Sequence, residues 1–120
     1  MAAKDDLGRA GEDRAARYLT DSGYEVLDRN WRCAQGELDI VARRGGWLAV
    51  VEVKTRRSLA YGHPLEAVDA RKRRRLWQLA HAWALDNGGR IHGLRIRIDV
   101  IGIVGTDPAV GQLEHLENLS

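Results

Sequence analysis

The chain has 120 residues, enough for one domain with a modest core and too few for a second. Its 44% hydrophobic and 30% charged residues are ordinary for a globular protein, and no apolar run approaches the roughly 18 to 20 residues that a membrane span needs. The net charge of +2 hides an asymmetry: between Arg43 and Arg75 stand ten Lys/Arg against three acids (Glu52, Glu66, Asp69). A basic middle on a near-neutral chain points to one positive surface rather than a general polycation, the alternative being a solvated helix face. Cys33 is the single cysteine, so no internal disulfide can form, which suits a reducing cytoplasm. The first residues carry acids early and no apolar stretch, unlike a signal peptide.

In chain order, Asp5 to Asp21 reads as a helix. Leu7, Gly11, Ala15, Tyr18 and Leu19 lie on one side, and Asp6, Arg9, Asp13 and Arg17 on the other. Ser22-Gly23 ends it. Tyr24 to Trp31 reads as a strand, and Glu37 to Arg43 and Trp47 to Lys54 as two more around the turn signal Gly45-Gly46. Thr55 to Pro64 is a loop. Asp69 is a good N-cap for a helix running to about Asp86 and stopped by Asn87-Gly88-Gly89. Leu94 to Val104 is a fourth strand. Residues 105–120 read as a C-terminal tail, with a short amphipathic segment, Leu113 to Leu119, that periodicity does not assign. The order α-β-β-β-α-β predicts a single α/β domain on a mixed sheet, its core within about residues 5–104.

The hairpin concentrates the reactive groups. Symmetric pairing about Gly45-Gly46 sets Asp39 opposite Glu52 and Glu37 opposite Lys54. With a side-chain period of two, these four share one face at the end away from the turn, joined nearer the turn by Val41, Val50 and Leu48. The other face carries Leu38, Ile40, Ala42, Ala49, Val51 and Val53. Opposed carboxylates are destabilising on a bare sheet, and a divalent cation between them reverses the sign. Mg²⁺ takes one or two carboxylates plus waters and phosphate oxygens. Lys54 could then hold a phosphate or orient water. An exposed charged face whose ions satisfy each other remains the alternative on spacing alone.

Gly36-Glu37-Leu38-Asp39-Ile40-Val41 followed by Val51-Glu52-Val53-Lys54-Thr55-Arg56 resembles the signature of the bacterial YraN-like family. Its members are predicted endonucleases similar to archaeal Holliday junction resolvases and to PD-(D/E)xK nucleases. Gly8 to Glu12, Ala15 to Leu19, Asn30 to Arg32, Val68 to Leu76 and Arg97 to Val100 extend the resemblance over nearly the whole chain. It implies a restriction-endonuclease-like fold, Asp39 and Glu52 as ligands of Mg²⁺ or Mn²⁺, Lys54 as the group serving the nucleophile, and Glu12 as a further catalytic acid. Leu38 stands where the family-naming proline would be, which removes no ligand. Glu12 leans towards the covered side of the first helix, where a metal-bound water or a neighbouring Arg would satisfy it.

In the second helix, Leu76, Leu79, Ala80 and Trp83 form the core stripe. Lys72 and Arg75 continue it towards the N-terminus and are expected to contact phosphates, as are Arg56 and Arg57 beyond the third strand. Arg71 and Arg74 lie on the outer side. Trp77 lies off the stripe, where stacking is open to it. Arg97 and Asp99 share a face and read as a structural ion pair. His63, His81, His92 and His115 have no zinc-ligand spacing. Two functions compete: a metal-dependent endonuclease acting on DNA, favoured at branched or partly single-stranded structures by the resemblance, and a non-catalytic nucleic-acid-binding module. A pure protein-interaction domain fits the basic middle poorly. A homodimer is open, with no clear interface stripe.

Overall fold

The structure, a computed structural model, describes residues 3–60 and 62–119. It runs α1 (Ala3–Asp21), β1 (Glu25–Cys33), β2 (Gly36–Arg44), β3 (Trp47–Arg56), a 3-10 turn (Pro64–Ala67), α2 (Ala70–Asp86), β4 (Arg95–Val104) and β5 (Gln112–Leu116). The five strands form one sheet in chain order. All neighbours are antiparallel except β3 and β4, which are parallel because α2 carries the chain back across the sheet between them.

The helices cover opposite faces. On one, Leu76, Leu79, Ala80 and Trp83 of α2 pack on Leu38, Val41, Leu48, Val50, Ile98 and Val100. On the other, Ala15 and Leu19 of α1 pack on Ile40, Ala42, Ala49, Val51, Ile101 and Ile103. Trp83 is fully buried and its indole N–H donates to Asp28 at 2.9 Å, so its polar edge is satisfied inside the core. The Asp69 carboxylate accepts from the Lys72 N–H at 2.9 Å, capping α2 as the sequence predicts. No described helix is long and apolar enough to cross a membrane.

The segment whose element was open forms β5, an edge strand running antiparallel to β4 from Val104–Gln112 to Val100–Leu116. With five residues and only Leu113 and Leu116 apolar, its alternation is too short to separate from a helical turn. Beyond it, the Leu119 N–H donates to the Ile98 carbonyl at 2.7 Å, so the chain end closes onto the α2 face.

One expectation fails. Strict alternation would put Leu38 on the face of Ile40, yet Leu38 packs with Val41 under α2, while Ile40 packs under α1. The alternation resets at Asp39. The neighbouring strand resets at the same level: Arg29 pairs with Asp13 of α1, while Trp31, two residues on, packs on the α2-side core. Between them Asn30 takes a left-handed φ of 53°, which asparagine tolerates better than other residues with a Cβ. The paired irregularity swivels the ends of both strands and points Asp39 into the gap between the helices.

Candidate active site

β2 and β3 keep the register set by the Gly45-Gly46 turn from Arg44–Trp47 to Ile40–Val51, and there the ladder stops. β3 continues alongside β4 as far as Arg56–Val104. The two strands of the hairpin therefore part at the level of Asp39 and Glu52. Val53 loses its place in the β2 ladder, and its N–H is satisfied by the Asp39 carboxylate at 2.9 Å. A cleft of about 270 Å³ opens at the parting, lined among others by Glu12, Glu37, Asp39, Glu52, Lys54 and Lys72.

Each element supplies one part of it. α1 brings Glu12, because Gly11 lets the helix settle directly on Thr55 of β3; a Cβ at Gly11 would collide with the Thr55 side chain. Glu12 is hydrogen-bonded by Asn30, the residue whose left-handed backbone turns β1. α2 brings Lys72, whose Nζ lies 3.1 Å from Glu52 Oε2. Lys54 Nζ lies 3.3 Å from the same oxygen. Glu52 is thus a buried carboxylate held between two ammonium groups, with 5% of its surface exposed.

Asp39 is differently placed. Burial pushes its carboxyl up, and the nearby Glu52 carboxylate pushes it further, against the stabilising Val53 N–H; the net result is a pKa of about 8. Glu12 is also raised, chiefly by burial, with the Asn30 hydrogen bond and Arg29 opposing. The cleft therefore holds carboxylates that lack positive charge on the Asp39 side, even with two lysines on the Glu52 side.

The sequence expectations divide along this geometry. Glu12, Asp39, Glu52, Lys54 and Lys72 converge, and Arg56 lines the same cleft. Lys72, expected to meet phosphate, meets Glu52 instead. Glu37 lines the cleft but pairs with Arg32 at 3.1 Å rather than with Lys54. Arg75 does not line the cleft and lies on the outer surface of α2 with Arg71 and Arg74. Arg57 is exposed and outside the cleft lining. Arg97 and Asp99 form the structural pair expected of them, at 3.0 Å and buried, on the α1 face of the sheet and outside the cleft lining. His115 and the Asn118 N–H also bond Asp99, at 2.8 and 3.0 Å, and hold its pKa low against the opposing effect of burial. Sequence reasoning missed the supporting parts: Asn30 and the Gly11–Thr55 contact. A positive-φ asparagine opposite an acid in a strand pair leaves little trace in residue order.

The fold and cleft define a mixed α/β domain in which two helices bring a glutamate and a lysine to the parting of a hairpin. The chain belongs to the Uncharacterised protein family UPF0102, whose model matches residues 11–103. This agrees with the YraN-like resemblance. It is 49% identical over 122 residues to a UPF0102 protein of an Arthrobacter species, covering 99% of each chain. It is 50% identical over 119 residues to one of Paenarthrobacter aurescens, covering 99% of this chain and 97% of the other. A UPF0102 protein of Streptomyces griseus is 46% identical over the full length of both chains.

Proposed function

We propose that the protein is a metal-dependent endonuclease that hydrolyses DNA phosphodiesters in this cleft. The observation that carries the reading is the convergence of Glu12, Asp39 and Glu52 with Lys54 where β2 and β3 part. The residues fit a small divalent cation. Asp39 and Glu52 offer hard oxygen donors, and the raised Asp39 pKa marks a local want of positive charge. Among the described residues no group of three or more His, Cys, Asp or Glu is placed to hold a metal ion, so an ion in the cleft would have at most two carboxylate ligands. Mg²⁺ or Mn²⁺ bound there would take water and phosphate oxygens for the rest of its shell. When bound, such an ion would neutralise charge on the scissile phosphate and activate water.

The chain's own residues divide the remaining work. Asp39 and Glu52 hold the ion. Lys54, on β3 beside Glu52, lies where an ammonium can stabilise charge building on the phosphate or orient the attacking water. Glu12 faces the cleft from α1 and can take a hydrogen bond from water there. Arg56 offers a phosphate contact at the cleft, and Arg57 and Arg75 more peripheral ones. The restriction-endonuclease-like arrangement implied by the resemblance accords with the observed αβββαββ order and with a cleft at the splayed strands.

A second reading has one observation in its favour. Lys54 and Lys72 already neutralise Glu52, so the cleft can persist without a metal in a DNA-binding module that does no chemistry. A cleavage panel separates the two. Linear, flapped and four-way DNA are incubated with Mg²⁺ or Mn²⁺, with wild type beside Asp39→Asn. Cleavage lost in the variant supports the enzyme; binding without cleavage of any substrate supports the module. A cytoplasmic location and a two-fold dimer on a branched substrate accord with the enzyme reading.

A further inference from the structure

A second concavity lies on the α2 face, between the helix and the chain end. Its volume is about 540 Å³, and Ile98, Leu119 and Trp77 give it an apolar lining. Arg73 and Arg74 stand at its rim. No ion pair engages either guanidinium among the described residues, whereas the neighbouring Lys72 is paired with Glu52. Trp77 is 45% exposed, an unusual position for a large ring that could have been buried. It is also braced: His81 meets it edge-on at 5.1 Å, and the His81 ring bonds the Trp77 carbonyl at 2.8 Å. The opposite wall is fixed as well, because the Asn118 N–H donates to the Asp99 carboxylate and the Leu119 N–H to the Ile98 carbonyl.

An apolar slot with one exposed aromatic face and unpaired guanidinium groups at its edge suits a flat apolar ring carrying anionic neighbours. A nucleobase with its flanking phosphates has that chemistry. A base inside a duplex does not present its face, so the slot selects an unpaired one. Trp77 lies five residues along α2 from Lys72, about 7.5 Å along the helix axis and roughly 140° around it, so the groove opens on a different side of the helix from the cleft.

We propose that this groove is a binding site for an unpaired nucleotide, with the base stacked on Trp77 and the adjoining phosphates on Arg73 and Arg74. The inference rests on the nucleic-acid reading given above and narrows it: the preferred substrate carries a single-stranded or splayed segment that can reach around α2 from the cleft. The site needs neither metal nor the cleft carboxylates.

The test is binding in EDTA, by fluorescence anisotropy, of labelled oligo(dT) and of a blunt duplex of equal length. Wild type is compared with Trp77→Leu, Trp77→Phe and the double variant Arg73→Gln/Arg74→Gln. Trp77→Leu should weaken oligo(dT) binding about 5- to 150-fold and duplex binding much less, and Trp77→Phe should recover much of the loss. The double arginine variant should lower the salt slope for single strands by about 1.4. Oligo(dT) should also quench tryptophan emission in wild type and quench less in Trp77→Leu. Because Trp77 is exposed, an unchanged circular dichroism spectrum and melting temperature are expected of its variants. Trp77→Leu binding oligo(dT) as wild type does, or losing duplex and single strand equally, overturns the proposal. So does a dimer in sedimentation that Trp77→Leu dissociates while single-strand binding stays unchanged, which would assign the groove to a second copy of the chain. Cleavage is scored separately: oligo(dT) bound through Trp77 with no DNA cut in Mn²⁺ keeps this site and rejects the nuclease.

Discussion

Asp39→Asn tests the electrostatics of the cleft without dismantling it. The asparagine carbonyl can still accept the Val53 N–H, as Asp39 does at 2.9 Å, and its amide can donate towards Glu52 as a protonated carboxyl would. Only titration is removed. In the folded wild type the Asp39 carboxyl is raised from 3.8 to about 8 by burial and by Glu52. Between these values the folded protein keeps a proton that the unfolded chain has released. Stability from this group is therefore full below the unfolded pKa and is lost as pH rises through the folded one. One proton limits the slope to about 1.4 kcal/mol per pH unit. Asp39 is only half-buried, which lets solvent screen part of the effect, so a slope of about 1 kcal/mol per unit from roughly pH 5 to 7.5 is expected. Urea unfolding of metal-free protein across that range, with wild type and variant side by side, reads it directly. Other titrating groups are common to both proteins and cancel in the difference. Relative to their difference near pH 5, the variant should gain about 2.5 kcal/mol on wild type by pH 7.5. On the proposed function, Mn²⁺ should remove the wild-type slope and leave the variant's profile unmoved. Parallel profiles for the two metal-free proteins would refute the claim that the cleft crowds negative charge around Asp39.

Three further outcomes are expected. Asp99→Asn removes the charge that Arg97 and His115 face in a buried site, and should cost about 3 to 5 kcal/mol in urea unfolding at neutral pH; a loss below 1 kcal/mol would show that the pair is not needed. Gly11→Ala places a Cβ against Thr55 and should destabilise by about 1 to 3 kcal/mol despite the better helix propensity of alanine, with Thr55→Ala restoring most of the loss in a double-mutant cycle; strictly additive effects would exclude the contact. Lys54→Ala should leave DNA affinity within a few-fold and abolish cleavage, since its interaction matters chiefly in the transition state; cleavage at the wild-type rate would reject its role.

What residue order could reveal follows from how far each feature is local. The hairpin register from Arg44–Trp47 to Ile40–Val51 is written in one turn, but the ladder ends before Asp39 and Glu52, which approach each other where the strands part and not as a paired position. α2 is legible from its Asp69 cap and its stripe of Leu76, Leu79, Ala80 and Trp83, all of which are buried. The period-two rule fails where the ladder ends. Beyond Ile40–Val51 no β2 partner holds β3 in register, and both β1 and β2 swivel, so Leu38 changes face and Asp39 turns inward. That swivel depends on Asn30 adopting a left-handed backbone opposite an acid, a choice made by tertiary contacts and not by propensity. Lys72 is a similar case. Helical spacing puts it at the sheet edge, but which anion it meets depends on how far β3 runs past β2 and carries Glu52 under α2. The departures from local rules thus gather at the cleft: a lost ladder, a turned strand, a glycine against a threonine and a carboxyl held at about 8. Each is costly to the fold by itself, and they share one effect, which is to bring carboxylates from α1, β2 and β3 together faster than the chain can neutralise them.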